Sequence, residues 1–360
     1  MEDKRFKLDI VTSVNFIANF FASDQFDNVF KAELRKNLLN HENVNVYNCD
    51  YSEINRNEFN KLISTFLNSV IPADHCKEII DRSNYDTLPR ARYINHKNDH
   101  LVLLLNSTDE SLKLSIDSGI ASANVKRSKE LLIELFLGNA LFNNPSFKIS
   151  TKAESWDKLN RINLPIRNLV LFEPYLFTWE MTDVEKNINS LLAHLKNNFG
   201  IVNNAQVDII SFVKKDITIP DEANPKKKRR PTLNECDDKF KQILGWIKDA
   251  GISNCNIRLI YMVQHQIPRK QPIYYALRNF EKENNHNRWF FTNYFWCKAG
   301  RSFNLYKQTH ALKDDINVES FISPDNMDPV IRNWKLDFYD KLMDFMKDEE
   351  TSQFIHCISS

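Results

Sequence analysis

The sequence predicts an α/β protein whose second half, Leu164 to Met346, has a mostly parallel central sheet flanked by helices. Three observations predict it. Apolar runs of strand length recur at residues 168–172, 207–213 and 257–263. Segments of helical period stand between them. The resulting β-α-β-α-β order calls for parallel strands joined by right-handed crossovers. An N-terminal α/β domain is expected at 1–155, the second domain at 156–350, and a tail at 351–360.

In the first half, Leu8 to Val14 is a candidate strand, and Val44 to Tyr47 a short second one. Between them a helix from Asp24 would place Phe26, Phe30, Leu34 and Leu38 on one face. Another helix is expected over 54–70, with Phe59, Leu62, Ile63, Phe66 and Leu67 inward. Residues 72–98 read as irregular, and Leu101 to Leu105 is an unbroken apolar run, as in a strand buried on both faces. Val125 to Phe142 reads as a largely buried helix, and the polar stretch 143–156 as the boundary.

In the second half, the strand Asn168 to Phe172 ends at Glu173-Pro174. Thr182 and Glu185 have the spacing of a capping box, opening a helix with Val184, Ile188, Leu191, Leu192 and Leu195 inward and a stop at Gly200. Val207 to Val213 is the next strand. A polar loop then carries Lys226, Lys227, Lys228, Arg229 and Arg230 between two prolines. The following helix turns Phe240, Ile243, Leu244 and Ile247 inward and stops at Gly251. Ile257 to Val263 is the third strand, with two more at 288–294 and 295–298. Asp328-Pro329 caps the last helix, which buries Ile331, Trp334, Phe338, Leu342 and Phe345.

The net charge is +1, so total charge names no partner. Its distribution says more: residues 256–313 hold ten Lys or Arg and two acidic residues, and 314–360 hold eleven acidic and four basic. A basic surface beside an acidic tail suits an anionic ligand; two solvated faces of opposite sign are the plainer reading. No run of eighteen apolar residues is present, and the start Met1-Glu2-Asp3-Lys4-Arg5 lacks the apolar core of a secretory signal. The six cysteines form no Cys-x-x-Cys pair and complete no zinc set with histidine. A cytoplasmic chain with free thiols, no metal and no cofactor is expected. With only six glycines the common nucleotide cradles are missing.

One stretch concentrates chemistry. Strand alternation puts His286, Arg288 and Phe290 on one face. The arginine offers a planar fork to phosphate oxygens, and the histidine a nucleophile or proton carrier. Asn293 and Ser302 could hydrogen-bond the same group, and Gly300 admits close backbone approach. A lone His and Arg on a strand are also common surface residues. Trp289, Tyr294, Phe295 and Trp296 interleave with Lys298 and Arg301, a pattern that suits either single-stranded nucleic acid or sheet core. The run Lys226 to Arg230 fits nucleic-acid contact or a solvated loop. Asp81, Asp86, Asp99 and Glu173 have no metal-ligand spacing and receive no role.

These residues resemble the phospholipase D superfamily, which carries His-x-Lys-x-x-x-x-Asp and then, after six residues, Gly-Ser-x-Asn. His286 falls on the histidine, Arg288 on the lysine and Asn293 on the aspartate; Gly300 follows, with Arg301 inserted before Ser302-Phe303-Asn304. Divergent bacterial relatives, and the phospholipase D-like domain that follows some microtubule-interacting-and-trafficking domains, are more similar still. The resemblance covers 164–346. It implies a nucleophilic His286, phosphate ligands at Arg288 and Asn293, and Gly300, Ser302 and Asn304 flanking the phosphate. It also implies an accessory bacterial role such as phage defence. Arginine for lysine changes geometry, and asparagine for aspartate removes the carboxylate that would orient the histidine. The family uses two such histidines; here a homodimer, or one of His265, His310, His96 and His100, would have to supply the second.

Two functions stay open. One is a phosphodiester-binding, phosphodiester-hydrolysing protein acting on nucleic acid through His286, Arg288 and Asn293, with Lys226 to Arg230, Lys298 and Arg301 on the strand. The other is a non-catalytic interaction module that uses the same fold to hold a partner protein or a lipid phosphate.

Overall fold

The computed structural model describes residues 164–359 except 198–200, 222, 249–250, 253, 284–287, 300–315 and 321–328. Before residue 164 it describes the strand segments 7–12, 44–48, 76–79, 100–105, 119–123 and 146–149 and a few isolated positions. The inward faces expected for helices near 24–38, 54–70 and 125–142 lie outside the described residues, as do the side chains of Ile331 and Trp334.

Five strands of the first half form one sheet: β1 (Lys7–Thr12), β2 (Val44–Asn48), β3 (Cys76–Ile79), β4 (His100–Leu105) and β5 (Ala121–Ala123). Their order is β3-β2-β1-β4-β5 and every pairing is parallel. The apolar run in β4 lies inside this sheet, as its composition requires. β3 falls in the stretch read as irregular, because Cys-Lys-Glu-Ile carries too few apolar residues to signal a strand.

The second sheet has eight strands: β6 (Ser146–Ile149), β7 (Ile166–Phe172), β8 (Ile201–Val213), β11 (Asn256–Val263), β12 (Arg288–Thr292), β13 (Phe295–Ala299), β14 (Ile316–Ser320) and β15 (His356–Ser359). A two-strand hairpin, β9 (Ile219–Pro220) with β10 (Lys228–Arg229), stands apart. The sheet order is β15-β11-β8-β7-β12-β13-β14-β6. β7, β8 and β11 are adjacent and parallel, as the apolar runs predict.

The remaining pairings are antiparallel, so the sheet is mixed rather than mostly parallel. Part of the reason is local. Asn293 and Tyr294 join β12 to β13 in a two-residue turn, and so short a link permits only antiparallel neighbours. The Thr292 hydroxyl fixes that turn by accepting from the N–H groups of Tyr294 and Phe295, each at 3.1 Å. β6 lies within the expected boundary stretch and β15 within the expected tail, yet both pair into this sheet.

Six helical segments among the described residues cover it: α1 (Met181–Val184), α2 (Ser190–Asn197), α3 (Leu233–Lys248), α4 (Pro272–Glu283), α5 (Pro329–Lys347) and α6 (Glu349–Ser352). A π-helical turn, Glu185–Asn189, fuses α1 to α2. The expected capping box is displaced by two residues. Glu180 is the N-cap, and its N–H donates to the Asp183 carboxylate at 3.4 Å. At α3 the box is Thr232 with Glu235: the Thr232 N–H donates to Glu235 Oε2 at 2.7 Å and the Glu235 N–H to Thr232 Oγ1 at 3.4 Å.

The two faces of the sheet carry separate apolar layers. Phe240 of α3 packs on Tyr261, and on Phe177 at 5.6 Å. On the other face Phe338 of α5 meets Phe172 at 5.8 Å and Phe212 at 6.0 Å. A polar network is buried in that second layer. Asp208 of β8 accepts from Arg258 Nε (2.8 Å) and Nη2 (2.6 Å), from Gln206 Nε2 (2.6 Å) and from the Tyr339 hydroxyl (2.7 Å). It bolts α5 to the strands.

The sheets meet at the β12–β13 turn. The Asn293 side chain accepts from the Arg167 N–H at 3.0 Å and donates to the carbonyls of Pro165 (3.0 Å) and Gly119 (3.4 Å). The Tyr294 hydroxyl accepts from the Ala121 N–H. Gly119 has φ +72°, and a Cβ there would sit 2.6 Å from the Arg167 Cβ, so only glycine allows this approach.

Candidate functional site at the carboxyl ends of the central strands

In sheets with parallel centres, ligands gather beyond the carboxyl ends of the strands. Here β7 runs out at Phe172, β8 at Val213 and β11 at Val263. The next residues are Glu173, Lys214 and Gln264. Arg288, which opens the neighbouring antiparallel strand β12, stands one residue beyond the Trp289–Phe172 pair and therefore beside Glu173.

Glu173 is fully buried and Arg288 nearly so. Arg288 Nε donates to Glu173 Oε2 at 3.1 Å and lies 3.3 Å from Oε1. The Tyr175 N–H donates to Oε1 at 3.0 Å. Loss of hydration pushes the Glu173 carboxyl above its ordinary range; Arg288, the Tyr175 N–H and Lys214 oppose this without cancelling it. The Tyr175 ring has the Arg288 guanidinium at 4.8 Å and Lys214 Nζ at 3.9 Å from its centre, and Lys214 donates to the Tyr175 hydroxyl at 2.7 Å. Arg288 thus pairs directly with the buried carboxylate, while Lys214 stands against Tyr175, whose N–H holds that same carboxylate.

The basic run follows Lys214 in the chain, on the way to α3. Lys226, Lys227, Lys228 and Arg230 are exposed. The run is a formed hairpin, not a loose loop. Lys228 and Arg229 pair with Pro220 and Ile219, and the Asp221 N–H donates to the Lys227 carbonyl at 2.9 Å. Arg229 is committed to Glu235, at 2.5 and 2.7 Å, which with the Thr232 N–H holds the Glu235 carboxyl down to about 2.

Among the described residues, Arg288 is the one candidate site residue of the sequence that belongs to the cluster. His286, Gly300, Arg301, Ser302 and Asn304 lie outside the described residues. Asn293 was expected beside Arg288, but it closes the far end of β12, about 17 Å away at strand spacing, and its amide holds backbone instead. Lys298 is half-buried within β13. Trp289, Tyr294, Phe295 and Trp296 are all core. Trp289 stacks on Phe172 at 5.1 Å, which decides between base stacking and sheet packing for that ring.

Tyr175 and Lys214 were not singled out by reading the sequence, and Glu173 was given no role. A signal existed: each stands at or just past the end of an apolar run expected to be a parallel strand.

No family model, no curated protein and no solved structure matches this chain.

Among the described residues no group of three or more His, Cys, Asp or Glu could hold a metal ion, and no helix is long and apolar enough to cross a membrane. Cys236, Cys255, Cys297 and Cys357 are free thiols.

Proposed function

We propose that this chain binds the phosphodiester backbone of a nucleic acid at the carboxyl ends of β7 and β8, as a degenerate phospholipase D-like protein. The observation that carries the reading is the Glu173–Arg288–Tyr175–Lys214 cluster, with a guanidinium and an ammonium on one tyrosine ring at the strand ends. Charge-assisted contacts from a guanidinium and an ammonium suit a phosphate diester, and the exposed lysines of the β8 exit suit its neighbours along the strand.

Binding and hydrolysis rest on different residues. Hydrolysis rests on His286, and the asparagine at the position of the family's orienting aspartate is occupied with backbone. That observation favours the binding module over the enzyme.

The test uses the full chain, a fluorescein-labelled oligonucleotide read by anisotropy, and bis(p-nitrophenyl) phosphate as hydrolysis probe. Lys214→Ala should weaken oligonucleotide binding by about tenfold or more, the scale of a charge-assisted hydrogen bond. His286→Ala should leave binding in place and remove any diesterase activity. Unchanged affinity in Lys214→Ala, with the fold intact by circular dichroism, would sink the proposal.

A further inference from the structure

The segments that leave β8 and β11 at their carboxyl ends, the second running into α4, both carry an excess of basic residues. The β8 exit, 214–231, holds seven Lys or Arg against three acidic residues, and the β11 exit, 264–278, holds three against none. The two loops touch. The Lys215 N–H donates to Gln264 Oε1 at 3.2 Å. His265 donates to the Pro231 carbonyl, and burial, then the nearby Arg230 charge, hold its imidazole below the usual range. An imidazole kept neutral there accepts crowding by cations without adding one.

Arg269, Lys270 and Arg278 of the second loop and of α4 are exposed. Among them stands Tyr275, with 53% of its surface in solvent although it is a large aromatic residue. Arg278 lies three residues on, on the same side of α4. Ile273 and Leu277 bury the opposite side of that helix against the core, so Tyr275 is not held out by want of an apolar face.

We infer that the exit loops of β8 and β11 form one docking face for single-stranded nucleic acid, with Lys226, Lys227, Lys228, Arg230, Arg269, Lys270 and Arg278 tracking phosphates and Tyr275 stacking on a base. The inference takes its ligand chemistry from the reading above and adds strandedness and a second loop. A stacking ring requires an unpaired base, and cations set along two loops follow a flexible backbone. Counterion release makes such a face salt-sensitive, by about 0.7 in slope for each phosphate neutralised on a single strand.

The experiment measures anisotropy of a labelled oligothymidylate, and of a duplex of equal length, with the full chain across a series of KCl concentrations. Tyr275→Ala should lose about tenfold or more in affinity for the single strand with the salt slope unchanged, and Tyr275→Trp should retain it. Arg269→Ala, Lys270→Ala and Arg278→Ala combined should lower the slope by about two. Both sets sit at exposed positions and leave Lys214 and Arg288 unaltered. Lys214→Ala failing while these variants respond would overturn the strand-end reading alone. Unaltered binding in Tyr275→Ala, or equal affinity for the duplex, overturns single-strand docking. An unaltered slope in the triple variant overturns the face, as does capture by phosphatidylserine vesicles with no binding to the oligonucleotide.

Discussion

Arg288 lies beside Glu173 across the β7–β12 pairing, its Nε 3.1 Å from a carboxylate with no exposure to solvent. Arg288 is the cation in direct contact with that carboxylate. Arg288→Ala should cost about 3–5 kcal/mol by urea denaturation, because it leaves a buried acid without its cation. Glu173→Gln keeps shape and an acceptor oxygen and should cost clearly less. Equal losses in the two variants would contradict this account of the pair.

Stability should also depend on pH at this position in an unusual direction. The folded state raises the Glu173 carboxyl above its ordinary value of 4.5. The folded chain therefore holds this proton more tightly than the unfolded chain. The contribution is fully present below pH 4.5 and is lost as pH rises through the folded value. Glu173→Gln removes that loss. Its stability relative to the parent chain should therefore improve as pH rises from 4.5, and chemical denaturation at a series of pH values would reveal it.

The start of α3 behaves oppositely. Glu235 is depressed to about 2 by Arg229 and the Thr232 N–H, so its contribution is present above its ordinary value and fades as pH falls toward 2. Thr232→Ala should cost about 1 kcal/mol, the usual worth of a cap, and should loosen the β9–β10 hairpin that Arg229 ties to the same carboxylate. Faster amide exchange at Lys227 in that variant, with the core unaltered, is the expected record.

Asp208 collects four hydrogen bonds from three side chains. Asp208→Ala should cost about 3–5 kcal/mol, since Arg258 would keep its charge without a partner. A double-mutant cycle of Asp208→Asn with Tyr339→Phe should show coupling of about 1 kcal/mol. Strict additivity would mean that α5 is held by its apolar face alone.

The strands of the parallel centre were legible because Leu169 to Phe172, Val207 to Val213 and Ile257 to Val263 are short apolar runs with helix-period segments between them. α3 was legible for the same reason. α4 was not: its Pro-Ile-Tyr-Tyr-Ala-Leu-Arg face is narrow, and the basic turn before it masks the period. β15 has alternating burial in only four residues, too short to separate from a tail. Arg288 was legible from its place on an apolar strand. Its partner was not, because Glu173 lies 115 residues earlier and only strand pairing brings it near.

The junction at Asn293 and Tyr294 has a consequence for how the molecule comes apart. Their side chains grip the backbone at Gly119 and Ala121, the entrance to β5, from a turn that is itself sealed in the core of the other sheet. β5 cannot peel from this turn while β12 and β13 stay zipped, unless buried polar groups are torn open with nothing to replace them. The turn works as a rivet: strain applied to either sheet passes through it, so that the strands it joins should share one melting event instead of two.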